Sequence, residues 1–303
     1  TTRNSLILLL TAAIWGMAFV SQSKGMDYMH PFTFNGVRSL IGAASILVYI
    51  LISRKIAGDK AAKLDWKLNV RAGLLCGIFL TIASTLQQFG IKYTSVGKAG
   101  FITTLYIIFV PMFGVFLKKK VAPVVWAAAG MAAVGMYLLC MTESLRLGAG
   151  DIMVFLCAIA FAIQIMTVDH YAARIDGAVV SCIQFTVCGV VCCIGALIWG
   201  QPTFGQIQEG LGALLYAGVL SCGVGYTLQI VGQKGLNPTV AALIMSLESV
   251  IATISGWIAY KIGFLSTDQT LTPRQIAGCV IVFAAVILVQ LPPEWFRFGK
   301  KND

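Results

Sequence analysis

Ten stretches of about twenty apolar residues follow one another along this chain and leave little room for anything else. They fall at 4–22, 33–52, 68–90, 96–117, 122–141, 151–169, 177–199, 210–232, 238–260 and 274–291. At 1.5 Å of rise per residue, each reaches across a hydrocarbon core of about 30 Å. Between Val240 and Tyr260 the only charged residue is Glu248. Charged residues make up 11% of the chain, against about 25% in ordinary soluble domains. The sequence therefore predicts an all-α integral membrane protein, with ten transmembrane helices in one membrane domain over 1–303. The first apolar segment has no A-x-A-like cleavage site and is expected to be a retained span, not a signal peptide.

The net charge of +10 does not point to nucleic acid, because no basic patch has a soluble domain to carry it. The Lys and Arg residues cluster in short loops such as 54–71 and Lys118–Lys119–Lys120, the pattern of cytoplasmic loops. With the N-terminus inside, fifteen of them fall on the cytoplasmic side and six outside, with Arg38 inside a span. Both termini are thus expected in the cytoplasm, with 293–303 as a short tail. The predicted location is the cell (inner) membrane.

The two halves resemble each other. "TLQQFGIKYTSVGKAGFITTLY" (85–106) aligns without gaps on "TLQIVGQKGLNPTVAALIMSLE" (227–248). Identical pairs include Thr85/Thr227, Gln87/Gln229, Gly90/Gly232, Lys92/Lys234 and Leu105/Leu247. "AIWGMAF" (13–19) can be laid on "IAFAIQI" (159–165), and Arg38 on Gln184. Repeat one is placed at about 1–142 and repeat two at about 150–292. Five helices make an odd number of crossings, so a second copy must run through the membrane upside down. Inverted repeats of this kind are common in secondary transporters, whose substrates bind near the midplane between the repeats.

"AAIWGMAFV", "PFTFNGVR", "IKYTSVGKAGFITTLYIIFVP" and "KGLNPTVAALIMSLESVIA" together resemble the EamA-type branch of the drug/metabolite transporter superfamily, across essentially all ten helices. The resemblance implies a ten-helix inverted-repeat fold and ATP-independent movement of small metabolites, amino acids or drugs. Two positions depart from the family pattern. Ser249 stands where a proline often follows the ninth-helix glutamate, and the 118–120 lysines stand where an acidic residue is common.

Glu248 is the leading candidate for chemistry, since a charge at the bilayer centre costs about 2.5–3.5 kcal/mol even on insertion scales. It is either a proton-titrating group or counter-ion, or a protonated structural carboxyl. Its repeat mate is Tyr106. The third helix carries a polar stripe of Thr81, Ser84, Thr85 and Gln88, flanked by Gln87, which calls for a cavity or a partner helix. Tyr226, Gln229 and Cys222 hold the corresponding face of the eighth helix. Trp15 and Gln22 share a face of the first helix, and Gln164 lies on its counterpart, the sixth. The expected substrate-binding set is Trp15, Gln22, Ser84, Gln87, Gln88, Tyr106, Gln164, Tyr226, Gln229 and Glu248. Asn35 and Arg38 form a candidate gate, with snorkelling of Arg38 to the surface as the alternative. Pro111 is expected to kink the fourth helix.

Nine cysteines lie in apolar stretches without metal-ligand spacing, so neither disulfides nor a zinc site is expected. No cofactor, metal centre or catalytic constellation is predicted, and the chain is not expected to be an enzyme. The expected partners are a small-molecule substrate and the lipid bilayer, with protons as one candidate coupling ion and without nucleic acid; the oligomeric state is a monomer or weak dimer. The predicted function is alternating-access transport of an amino acid or related amphipathic solute. A membrane-embedded enzyme acting on a lipid-linked substrate is the alternative, and a receptor is disfavoured by the duplication.

Overall fold

The computed structural model describes residues 2–58, 64–118, 121–140, 148–266, 270 and 272–290. The tail at 293–303 and Lys119 and Lys120 lie outside them. Among the described residues the fold is all-helical. Eight helical rods are long and apolar enough to cross a membrane. Four belong to the first half: α1 (Thr2–Gly25), α2 (Pro31–Ala57), α3 (Trp66–Ile91), and the broken rod of α4 (Val96–Thr104) and α5 (Tyr106–Phe116). The second half has α7 (Ala149–Tyr171), then α8 (Gly177–Gly195) with a π-helical turn to Gly200. A short α9 (Phe204–Glu209) leads to a rod of α10 (Leu211–Leu215), a π-helical stretch (Tyr216–Gly225) and α11 (Tyr226–Gln233). The eighth rod is α12 (Pro238–Met245) with α13 (Leu247–Lys261). The stretches expected at 122–141 and 274–291 form the shorter apolar helices α6 (Pro123–Cys140) and α14 (Pro273–Gln290).

Helix starts are written in the sequence. Asp65, Ser95, Asp176 and Asn237 each accept a backbone N–H of the first turn through the side chain, which satisfies donors that have no partner inside the helix. Pro31 and Pro238 sit at the first helical position, where a missing N–H costs nothing. Ser95 and Asn237 are repeat mates and cap corresponding rods.

Two expected single helices are broken. The fourth rod breaks at Leu105 and the eighth at Ser246. The kink expected at Pro111 therefore lies six residues earlier, and Pro111 sits inside α5. The mates Thr104 and Ser246 turn their hydroxyls back on the carbonyls of Phe101 (2.9 Å) and Leu243 (2.7 Å). Such back-bonding competes with the backbone ladder and bends helices. Ser249, the family departure, adds a bond to Ser246 O at 2.8 Å.

Helix partners recur with the halves exchanged. α3 packs on α7 as α1 packs on α11; α3 on α8 as α2 on the π-helical stretch; α1 on α13 as α7 on α4 and α5. α2 with α8 and α6 with α14 are self-paired. Close approach needs small residues. A Cβ on Gly42 would lie 2.6 Å from Cys222 Cβ, and one on Gly16 would lie 2.7 Å from Glu248 O. The polarity is inside-out for water and right for lipid. Leu6, Leu51, Ile198 and Val280 are exposed, while Gln22, Arg38, Gln164 and Glu248 are buried.

Candidate functional site

The buried polar residues converge on one central cavity built by both halves. Its walls come from α1 (Trp15, Phe19, Gln22), α2 (Arg38), α3 (Ser84, Gln87), α4 (Thr103) and α5 (Tyr106). The second half contributes Phe161, Gln164 and Ile165 from α7, Phe185 from α8, Ser221 and Cys222 from the π-helical stretch, Tyr226 and Gln229 from α11, and Glu248 from α13. The cavity is narrow, with about 30 Å³ open to the centre of a water molecule, room for about two or three waters.

Tyr106 and Glu248 are each two residues past a hydroxyl that bends its own rod, and the bends turn both side chains inward. The Tyr106 hydroxyl donates to Glu248 Oε1 at 3.0 Å. The two residues are thus repeat mates that bond to each other. Both are nearly inaccessible from outside, at 2% and 3% exposure.

Aromatic rings form one wall. Trp15 and Tyr226 have centroids 4.5 Å apart, and Phe185 meets Tyr226 edge-on at 4.9 Å. The Trp15 indole donates to Ser221 O at 3.4 Å, so its ring is held by the π-helical stretch. π-helical insertions concentrate at functional sites, and the corresponding part of α3 is regular α-helix.

Amides form the rest. Gln87 Nε2 donates to Thr103 Oγ1, and Gln229 Nε2 donates to Gln164 Oε1, both at 3.2 Å. Gln22 Oε1, Gln164 Nε2 and Gln229 Oε1 are buried without a hydrogen-bond partner among the described residues. Two acceptors and one donor of the wall residues are thus unmet by protein groups, and an unmet buried polar atom costs about 1–3 kcal/mol.

Arg38 does not reach the surface. It is 5% exposed, its Nε donates to Asn35 Oδ1 at 2.9 Å, and its guanidinium lies 5.5 Å from the Phe34 ring. The ion pairs among the described residues are Lys24–Asp27 and Lys98–Asp151, so Arg38 and Glu248 bring opposite charge types to the cavity without pairing. The snorkelling alternative is corrected by the packing of α2 against α8 and the π-helical stretch, which covers the side chain.

All of the expected binding residues line this cavity except Gln88. That side chain is fully buried and donates to Gln22 O at 3.3 Å, joining α3 to α1 behind the cavity wall. Asn35 also lies behind the wall, where it positions Arg38. Its amide nitrogen contacts Ser84 Oγ at 3.0 Å and Cys192 Sγ at 3.2 Å, and Ser39 and Ser84 both contact Cys188 Sγ at 3.4 Å. These thiols are hydrogen-bonding members of a polar network. The expected binding set missed Phe19, Thr103, Phe161, Ile165, Phe185 and Ser221. Among the described residues no cluster of His, Cys, Asp and Glu could hold a metal.

Two consecutive matches to the EamA-like transporter family cover residues 3–141 and 148–291. An uncharacterized transporter of Archaeoglobus fulgidus is 28% identical over 290 residues, 94% of this chain and 84% of that protein. The Bacillus subtilis transporter YwfM is 24% identical over 295 residues, 96% of this chain and 94% of its own length. A solved crystal structure superposes with a TM-score of 0.75 at 16% identity, covering 98% of this chain and all of that one; at that identity it speaks for the fold alone. The two family matches divide the chain where the exchange of helix partners divides it, and the cavity lies between them. The chain belongs to the EamA-like transporter family.

Proposed function

We propose that the protein moves a small amphipathic metabolite, an amino acid or related solute, across the cytoplasmic membrane by alternating access. In this reading α6 and α14 complete ten spans. Each has 18 residues, about 27 Å of helix, and each follows the broken rod of its half. Two five-span repeats then lie inverted about an axis through the Tyr106–Glu248 contact. The termini face the cytoplasm, as the Lys and Arg distribution favours.

The observation that carries the proposal is the cavity between the halves, with Arg38 and Glu248 in its walls and not paired with each other. Two ionisable groups kept inside a membrane protein without each other are costly and are typically functional. They suit a zwitterion: the guanidinium accepts a carboxylate, the Glu248 carboxylate an ammonium, the amides a neutral polar group, and the aromatic wall an apolar portion. Multiply charged solutes find one basic group in the cavity and are disfavoured.

Flux into proteoliposomes, measured over a panel of amino acids and amines, tests this. Accumulation that Trp15→Ala and Arg38→Gln abolish is expected. Catalytic turnover without solute movement would sink the transporter reading. Glu248→Gln is expected to remove the pH dependence of transport; an unchanged pH profile in an active mutant assigns the carboxyl a structural role only.

A further inference from the structure

A second site lies away from the central cavity, on the membrane face where α1 and α3 begin. A cleft of about 600 Å³ opens there between the end of α2, the start of α3, the turn before α8 and α11. Arg54, Arg174 and Lys234 line it. None has a carboxylate within 4.0 Å among the described residues. Lys234 Nζ donates to Ile175 O at 3.3 Å and Arg174 to His170 O at 3.4 Å, contacts that leave the positive charge uncompensated. Asp65 and Asp176 also border the cleft, but each caps a helix, accepting from Leu68 N at 3.0 Å and from Ala178 N at 3.0 Å. A helix N-terminus carries about half a positive charge, so each aspartate is partly offset where it stands. Among the described residues, three cations against two offset carboxylates leave the cleft positive.

Continuous with this cleft is an apolar groove of about 500 Å³, which shares Tyr49, Thr227 and Val231 with it. The groove runs between α1, α2 and the π-helical stretch, walled by Ile7, Ile46, Val219 and Leu228. A basic mouth at the membrane face opening into an apolar channel along the helices has the form of a charged headgroup joined to a hydrocarbon chain.

We propose that this cleft and groove bind one anionic phospholipid. Its phosphate sits among Arg54, Arg174 and Lys234, and an acyl chain lies along α2 and the π-helical stretch. The surplus of positive charge selects a net-anionic headgroup over a zwitterionic one, whose own cation would meet the three basic residues. The groove also shares a wall with the central cavity. Val219, Gly223 and Val224 of the π-helical stretch face the groove, while Ser221 and Cys222 of the same stretch face the cavity. One wall therefore serves both sites.

The test uses the full chain in nanodiscs of phosphatidylcholine, alone or mixed with phosphatidylglycerol. Lipid retained by the protein is read by native mass spectrometry, and stability by thermal unfolding. Phosphatidylglycerol is expected to be retained preferentially and to raise the unfolding temperature. Neutralising the cations is expected to weaken retention about fivefold per residue, so R54Q/R174Q/K234Q loses the preference. Val219→Trp, which fills the groove and leaves every cation in place, is expected to lose it as well and guards against a triple variant that fails to fold. Equal retention of phosphatidylcholine, or undiminished phosphatidylglycerol in both variants, overturns the proposal. Stabilisation by glycerol phosphate in detergent, without a matching lipid effect, also overturns it and assigns the cleft to a soluble phosphate compound.

Discussion

Tyr106→Phe removes one oxygen and leaves the ring in place. In the structure that oxygen gives Glu248 Oε1 its hydrogen bond at 3.0 Å, and the two side chains are 2% and 3% exposed. The adjoining cavity has room for about two or three waters, so a water can take over part of the donor role and the net worth of the bond is what is lost. That cost is about 1.5–3 kcal/mol for a charged carboxylate and about 0.5–1.5 kcal/mol for a neutral carboxyl. The same substitution in a Glu248→Leu background should cost nothing, because there the hydroxyl is itself the orphan and its removal relieves a buried donor. The difference between the two backgrounds is the coupling energy, expected at about 1 kcal/mol or more. Equilibrium unfolding in mixed micelles of the four proteins measures it. Tyr106→Phe costs that agree within about 0.5 kcal/mol in the two backgrounds would refute the contact and, with it, the placement of both residues on a common axis.

Three further outcomes follow from the packing and the loops. Gly16→Ala places a methyl 2.6 Å from Ile251 Cβ and 2.7 Å from Glu248 O; an overpacking loss of about 1–3 kcal/mol is expected in the same unfolding assay, and no loss would mean that α1 and α13 stand further apart. Asp151 accepts from Thr94 at 2.9 Å, Lys98 at 2.6 Å and Gly148 N at 2.8 Å, so Asp151→Ala should lower the unfolding temperature more than Lys98→Ala, and the reverse order would contradict this network. His30 caps α2 through Nδ1, and burial, then Lys92, hold its pKa below the usual 6.5. The unfolded chain therefore takes up the proton first as pH falls. This part of the stability is present above pH 6.5 and is lost as pH drops toward the lowered value. His30→Asn, which keeps a capping oxygen, should flatten that dependence in a pH series of melting curves.

The membrane-spanning rods and the duplication were legible because apolar length and a gapless self-alignment are strong local signals. Helix starts were legible in the capping residues Ser95 and Asn237, the second followed by Pro238. The breaks at Leu105 and Ser246 were not. No Pro or Gly marks them, and Thr104 and Ser246 bend the chain through hydroxyl bonds that leave no mark on hydropathy. Gln88 was misplaced because Gln87 and Gln88 point about 100° apart on a helix, and which of them meets the cavity depends on how α3 is rotated against α1. Arg38 was read with an open path to the surface that tertiary packing closes. Phe19 and Phe185 resemble any other phenylalanine in a membrane span, since an apolar cavity wall and a lipid-facing surface use the same residues.

The bond between Tyr106 and Glu248 joins two residues that correspond under the repeat, so exchanging the halves returns the same pair. In an alternating-access cycle, where the halves would trade conformations, the same pair would be in contact before and after the exchange. The Trp15–Tyr226 stack behaves otherwise: its counterparts are Phe161 and Ser84, which can form no equivalent stack. Under the proposed cycle, a change at 106 or 248 is therefore expected to weigh on both half-cycles and to alter the overall rate. A change at Trp15 or Tyr226 weighs on one half-cycle and alters the ratio of influx to efflux kinetics.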